Sequence, residues 1–498
     1  MSKFSRQLRE VVDEKDIKIY SLAKKIDCDR SLLQKVISGE RKLGFDKFTL
    51  LFEELKNYLE ADELKRLYEN FSSDYFGEDY ELIVFVKNRI KQMSEFECYI
   101  NNTNFDILNI SQYNDCEEYI NEKNKVIEKF IKDFRLNDNE KNIVNKVAEI
   151  FCREFIYSIQ NDVIPKLYLY IPDNLAFVKN LIIVLLKNSN LKGRIDLKFV
   201  IECISENSDK SLMGKFLTAC EFASYGYNTY FEEYETYTRK NSILPYYIIT
   251  SNNSLMISED CEIVLLNSDY SQVSKMLERF EEIISNKEYF FESLECNEFN
   301  HWMLKNRMNI DTCEDICCNL NVFMFCTREI LEEIIDKDYE DREDLINRLV
   351  EVFENVKRTH ILSFSSIKSI NKYSEFKKVF LENQAIGLNI DDKVYINLID
   401  ELYRYYSRND SDFNLLLDDK YVFSEKINLT VCDKKKIFID AFLYNKDNKK
   451  GAVAYLNSPV IAEHLVNYYE YLRNSEMCLK KNESIRFVKR IVEKVFVT

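Results

Sequence analysis

The chain has 498 residues, 46% of them hydrophobic, and a formal charge of −16; at about 100–200 residues per domain this makes two to four domains, each able to bury a core. The longest apolar run, residues 175–186, is interrupted by Lys179 and is too short to span a bilayer, and the first residues show no apolar export signal, so no membrane partner and a cytoplasmic location are expected. Residues 1–48 hold 12 Lys/Arg against 8 Asp/Glu, a local +4 that leaves −20 for the other 450 residues, so only this end is expected to approach phosphate.

In chain order, Ser5–Asp13 reads as a helix with Leu8, Val11 and Val12 on one face. A second helix is expected from Tyr20 to Ile26, with Leu22, Ala23 and Ile26 inward. Asp29 has the short acceptor side chain of an N-cap for a third, Arg30–Ile37, which buries Leu33 and Val36. Ser38-Gly39 ends it, since glycine tolerates a left-handed exit. A fourth amphipathic helix is predicted over Phe45–Leu55. Two short helices joined by a tight turn and packed by a flanking pair make a helix-turn-helix.

The segment Ser21-Leu22-Ala23-Lys24-Lys25-Ile26 through Ser31-Leu32-Leu33-Gln34-Lys35-Val36-Ile37-Ser38-Gly39-Glu40-Arg41-Lys42 resembles the Xre/Cro family of phage and bacterial repressors. The resemblance spans residues 3–59. Ala23 stands where the family wants a small residue between the second and third helices, and Val36-Ile37-Ser38-Gly39 stands at its helix exit. Ile19 replaces a Gln that often touches phosphate, Cys28 a commoner Val or Thr, and Val12 with Ile37 an Arg–Glu pair, both partners having become apolar together. The resemblance implies a double-stranded DNA operator as partner, with the third helix in the major groove. Arg30, Ser31, Gln34 and Lys35 are then the base readers, Arg suiting guanine and Gln adenine, while Lys18, Ser38, Arg41 and Lys42 hold phosphates. A four-helix module that binds only protein would show a similar charged face, and Lys24, Lys25 and Lys47 fit a solvated surface equally well.

Further along, residues 58–108 are helix-rich, 101–114 polar and linker-like, and one long helix is predicted from Glu117 to Gln160. Lys166–Ile171 and Arg194–Cys203 read as strands on either side of the apolar helix Leu175–Leu186. Tyr246–Thr250, Leu255–Ile257 and Glu262–Leu266 form a meander, and Lys426–Val431, Lys436–Leu443 and Ala452–Leu456 a second. Each ends in Leu-Asn-Ser (266–268 and 456–458), and an amphipathic helix follows each, Gln272–Ser285 and Val460–Ser475. This order points to a duplicated α/β module.

Several constellations lack what their chemistry requires. Gly39 and Gly44 have a phosphate-loop spacing without the following Lys-Ser/Thr. Cys296, His301, Cys313, Cys317, Cys318 and Cys326 lack the paired short spacings of zinc sites, and the other cysteines (Cys152, Cys203, Cys220, Cys261) sit singly among apolar residues as free thiols. His301, His360 and His464 lie in no nucleophile motif and read as interface or surface residues; Asp391-Asp392 and Asp418-Asp419 read as solvated turns. The tyrosines at 225, 227, 230, 234 and 237 suit packing beneath the first meander, with a pocket or dimer surface as the alternative.

The expected fold is thus α+β and predominantly helical: an all-α helix-turn-helix head over residues 1–72, a helical connector over 73–160, an α/β module over 161–300 for sensing or dimerisation, a helical segment over 301–355 and a second α/β module over 356–498. The expected function is sequence-specific transcriptional regulation by a homodimer that answers a small-molecule, peptide or protein effector, with no catalytic residues, metal or cofactor. Two alternatives stand beside it: a peptide-receptor regulator with an all-helical repeat body, and an effector protein whose head only autoregulates.

Overall fold

The computed structural model describes residues 1–102, 116–171, 175–188, 195–204, 209–223, 228–234, 243–285, 289–295, 313–314, 326–335, 337–338, 341–358, 362–366, 392–408, 412–417, 427–432, 434–442, 450–475 and 477–496. The fold is predominantly helical α+β. Its head comprises α1 (Lys3–Glu14), α2 (Ile19–Lys25), α3 (Arg30–Ser38), α4 (Phe45–Leu55) and α5 (Ala61–Phe76). Leu8, Leu22, Leu33, Val36 and Leu51 meet at its centre, each almost wholly buried, and a buried side chain of this size contributes about 1.5–3 kcal/mol. Phe48 of α4 stacks on Phe71 of α5, so α5 completes the head's core and carries the chain through residue 72 without a break.

Next come α6 (Asp79–Asn102), α7 (Cys116–Phe134) and α8 (Asp138–Asn161). The single helix predicted over 117–160 is therefore two. Arg135 takes a positive φ of 51°, and Asn137 with Glu140 forms a capping box, the side chain of each accepting from the other's backbone N–H at 3.0 and 2.8 Å. The Asn-x-x-Glu spacing that starts α8 was present in the sequence, but continuous amphipathic periodicity masked it. Of the linker-like residues, 101–102 belong to α6, and 103–114 lie outside the described residues.

The body is built on an eleven-stranded sheet of order β6-β5-β4-β1-β2-β3-β7-β13-β12-β11-β8. At its centre β1 (Lys166–Tyr170), β2 (Asp196–Ile204) and β3 (Asn228–Tyr234) are parallel, joined through α9 (Ala176–Asn188) and α10 (Asp209–Ala223). Leu167, Tyr168, Leu169 and Tyr170 are all buried, as expected of a parallel strand covered on both faces. Glu154 of α8 ties the connector to this sheet. Its buried carboxylate accepts from the Lys166 N–H at 2.9 Å, the Ser251 N–H at 2.9 Å and the Ser251 hydroxyl at 2.6 Å.

Both meanders are antiparallel and each precedes a helix: β4 (Tyr246–Ile249), β5 (Ser254–Ile257) and β6 (Val264–Asn267) before α11 (Tyr270–Ser285); β11 (Ile427–Cys432), β12 (Lys436–Phe442) and β13 (Lys450–Asn457) before α15 (Pro459–Asn474). They join the sheet in opposite senses. The first docks through its first strand, β4 against β1; the second docks through its last, β13 against β7 (Tyr289–Glu295), which in turn pairs with β3. β8 (Cys313–Glu314) follows β11 at the far edge. A separate three-stranded sheet, β14-β10-β9, pairs β9 (Leu362–Ser366) parallel to β10 (Asp412–Leu416), with β14 (Cys478–Leu479) antiparallel. It packs with α12 (Arg328–Ile334), α13 (Arg342–Arg358), α14 (Asp392–Arg408) and α16 (Lys481–Phe496).

At the α11–sheet contact, Lys198 donates to Glu281 at 2.7 and 2.9 Å and to the Tyr168 hydroxyl at 3.0 Å, and Tyr168 stacks on Phe280. Burial raises the Glu281 pKa, but the hydrogen bonds from Lys198 and Tyr168 outweigh it and hold the carboxyl below its ordinary value. A depressed folded-state pKa contributes stability above the unfolded value that is lost as pH falls through the folded one. Acidification below the ordinary carboxylate range is thus expected to loosen α11 from β1 and β2. The thermal midpoint of Glu281→Gln should fall less over that interval than that of the parent; parallel curves would contradict the assignment.

Candidate nucleic-acid interface

The helix-turn-helix is set by local signals. Asp29 is the N-cap of α3, its carboxylate accepting from the Ser31 N–H at 2.6 Å, and the bonds from Ser31 hold the Asp29 carboxyl below its ordinary pKa. Between the helices Asp27 takes a positive φ of 49°, and the Cys28 N–H donates to the Ala23 carbonyl at 2.9 Å. Gly39 closes α3 in the left-handed region at φ 80°. A Cβ there would come 3.1 Å from the Met1 backbone. Gly39→Ala is therefore expected to cost about 1–2 kcal/mol, read as faster hydrogen exchange of the α3 amides; unchanged protection would refute it.

The buried Ser5 hydroxyl donates to the Val36 carbonyl at 2.7 Å and fixes α3 against α1. Leu33, Val36 and Ile37 turn inward, leaving Arg30, Ser31, Gln34 and Lys35 exposed on the opposite side. Lys18, at the N-cap of α2, and Arg41 and Lys42, beyond Gly39, are exposed as well. Among the described residues, Lys18, Arg30, Lys35, Arg41 and Lys42 enter no ion pair, whereas Lys25 pairs with Glu54 and Lys47 with Asp27. Of these seven cations, five enter no ion pair and two brace α4 against α2 and the turn after it.

Ser38 stands apart from the other seven proposed contacts. It is half-buried, and its hydroxyl lies 3.0 Å from the Lys35 carbonyl and 2.9 Å from the Glu40 carboxylate, an acidic neighbour unsuited to phosphate. Tyr20 is a further candidate, 66% exposed in the first turn of α2, near Lys18. Its signal was an aromatic residue on the polar side of the Leu22–Ala23–Ile26 face.

The head is not loosely tethered. The Tyr68 hydroxyl of α5 donates to the Tyr471 carbonyl of α15 at 2.5 Å, Lys87 of α6 donates to the Tyr471 hydroxyl at 3.1 Å, and Asn467 lies 3.3 Å from Asp79. The helix after the second meander thereby supports the head from below.

His464 is not on the surface: it is 7% exposed on α15, its Nε2 lying 3.2 Å from Asp209 at the start of α10 without hydrogen-bond alignment. Tyr230 is buried with Tyr168, Tyr170 and Phe280 beneath α11. Tyr225, Tyr227 and Tyr237 lie outside the described residues. Cys326 is buried, Cys313 lies in β8, and Asp392 opens α14 rather than a turn. Cys296, His301, Cys317, Cys318, His360, Asp391, Asp418 and Asp419 lie outside the described residues. Among the described residues there is no group of metal-ligating side chains, and no helix is long and apolar enough to cross a membrane.

No family model matches the chain, and no curated protein matches it by sequence. Among solved structures it is similar to phosphatidylserine synthase of Haemophilus influenzae Rd KW20, at 10% identity and a TM-score of 0.23, over 67% of this chain and 88% of that one. It is also similar to TrmBL2, an archaeal chromatin protein whose structure shows a novel mode of DNA binding, at 11% identity and a TM-score of 0.17, over 42% of this chain and 61% of that one. At those scores neither likeness carries an argument about fold or activity.

Proposed function

We propose that the chain is a sequence-specific DNA-binding transcriptional regulator, with α3 as the reading helix and the body as a sensor or dimerisation unit. One observation carries this reading. α3 is anchored on its apolar side and turns four exposed polar residues outward, between exposed cations with no acidic partner. Arg30, Gln34 and Lys35 have the donor patterns that meet base edges; Lys18, Arg41 and Lys42, with the Tyr20 hydroxyl, suit phosphate oxygens. The acidic remainder of the chain restricts phosphate to the head.

The sheet-containing body departs from the all-helical repeats of a peptide-receptor regulator, which leaves the effector's class open between a small molecule and a macromolecule. The contact of Tyr68 with Tyr471 provides a physical connection between head and body, and Lys87 of the adjoining α6 meets the same tyrosine. The test is selection of duplexes from a random pool by the purified full-length protein at low and moderate salt. A recovered motif, bound more weakly as salt rises, is the expected result. Binding with no enriched sequence would reduce the reading to general DNA association, and absence of binding at low salt would remove it.

A further inference from the structure

The first two turns of α1 carry charge where a helix least tolerates it. Lys3, Arg6 and Arg9 follow at three-residue spacing, so each lies beside the next on the helix surface. All three are exposed, and among the described residues none enters an ion pair. The positive end of the helix dipole lies at this terminus and disfavours cations, and the first turn holds no acidic residue to offset them. Glu10 and Asp13 stand four residues after Arg6 and Arg9, the less favourable order for such pairs, and neither pair closes. By itself the stripe destabilises the helix that carries it.

The same stripe leads to the reading helix. The buried Ser5 hydroxyl donates to the Val36 carbonyl at 2.7 Å, the Arg9 guanidinium lies 3.5 Å from the Ile37 carbonyl, and a Cβ at Gly39 would meet Met1. α1 therefore runs beside the last turn of α3, with Arg9 nearest and Arg6 and Lys3 successively farther round the helix. Ile37 is three residues after Gln34, so the flank of α3 that Arg9 approaches also carries a base reader. Arg41 and Lys42 emerge from the same exit, and the acidic residue there, Glu40, accepts from the Ser38 hydroxyl at 2.9 Å.

We propose that Lys3, Arg6 and Arg9 bind the DNA phosphate backbone beside the segment that α3 reads. From Lys3 to Arg9 the stripe runs about 9 Å along α1, the axial rise of roughly two to three phosphates on one strand. Phosphate oxygens supply the negative charge that the first turn lacks, so binding relieves the repulsion among the three cations as well as adding contacts. Arg6 offers a planar fork to a phosphate, and Arg9 has four N–H donors left beyond the one directed at Ile37. The proposal rests on α3 as the reading helix and assigns to α1 a share of the sequence-independent affinity.

The test uses the full chain and two duplexes, the one recovered by selection and a scrambled one, titrated at several salt concentrations. Arg66→Ala is the control, removing the same charge from an exposed position on α5. Arg6→Ala should weaken both duplexes alike, by about fivefold or more, and flatten the salt dependence by about one unit; Arg66→Ala should do neither. Without DNA, Arg6→Glu should slow hydrogen exchange of the α1 amides, because it breaks the like-charge stripe and brings an acid toward the helix N-terminus. Equal losses in Arg6→Ala and Arg66→Ala would reduce the effect to net charge and overturn the proposal. Undiminished binding by Arg6→Ala would overturn it too, and would leave the reading helix standing if Arg30→Ala still loses discrimination. Faster α1 exchange in Arg6→Glu would make Arg6 a structural residue and overturn the assignment. A parent chain that binds neither duplex at low salt removes the stripe and the reading helix together.

Discussion

Alanine at Arg30, Gln34 or Lys35 is expected to weaken binding to the selected duplex by about 1–3 kcal/mol each and to relax preference at one base pair each, because a base-reading side chain contributes discrimination only at the edge it touches. The three replacements together should bring binding close to the level of scrambled DNA. None of the three side chains is buried, so the head should keep its fold and the loss can be assigned to recognition. Lys42→Ala provides the contrast. A phosphate contact carries no sequence information, so this change should weaken selected and scrambled duplexes alike and flatten the salt dependence by about one unit. The measurement is a titration of each variant against both duplexes at several salt concentrations. If the three α3 variants bind and discriminate like the parent, α3 is not the reader, and its exposed face belongs to a protein contact.

A larger effect on stability is expected at Glu154. Its carboxylate is buried and receives two backbone N–H groups and one hydroxyl. Glu154→Ala leaves the Lys166 and Ser251 donors without their acceptor and opens a cavity beneath the sheet. Each orphaned buried donor costs about 1–3 kcal/mol, so the loss should reach roughly 3–5 kcal/mol, a large share of ordinary stability. Glu154→Gln should cost less, because one carboxamide oxygen still accepts while the NH2 group faces a donor. Denaturant unfolding followed through the far-ultraviolet signal would separate the two. Equal midpoints for parent and Glu154→Ala would show that α8 does not depend on this strut.

Much of the head was legible in the sequence. The Asp29 cap, the Gly39 exit and the apolar spacing of Leu22, Leu33 and Val36 are signals within a few residues of one another, and the helices they predict fall within about two residues of those observed. The division of the exposed cations was not legible. Lys25 and Lys35 look alike in sequence, and only the approach of α4 gives Lys25 its partner Glu54. Ser38 looks equally free in the sequence, and its hydroxyl finds the Lys35 carbonyl and Glu40 only once the helix exit is formed.

The body divides along the same line. By itself the sequence located β1, β2, the strands of both meanders and the helices after them, because alternation and helical periodicity are local properties of the chain, but it did not mark β3, β7, β9, β10 or α10. Tertiary structure alone decided how these pieces join: β4 against β1, β13 against β7, and β9 with β10 in a sheet of their own. It also decided that His464 is buried and that Tyr68 meets Tyr471 from 403 residues away. Strand pairing and burial depend on which surfaces remain uncovered after every other element has packed, and a strand's own pattern of side chains names the face it buries without naming the neighbour at its edge.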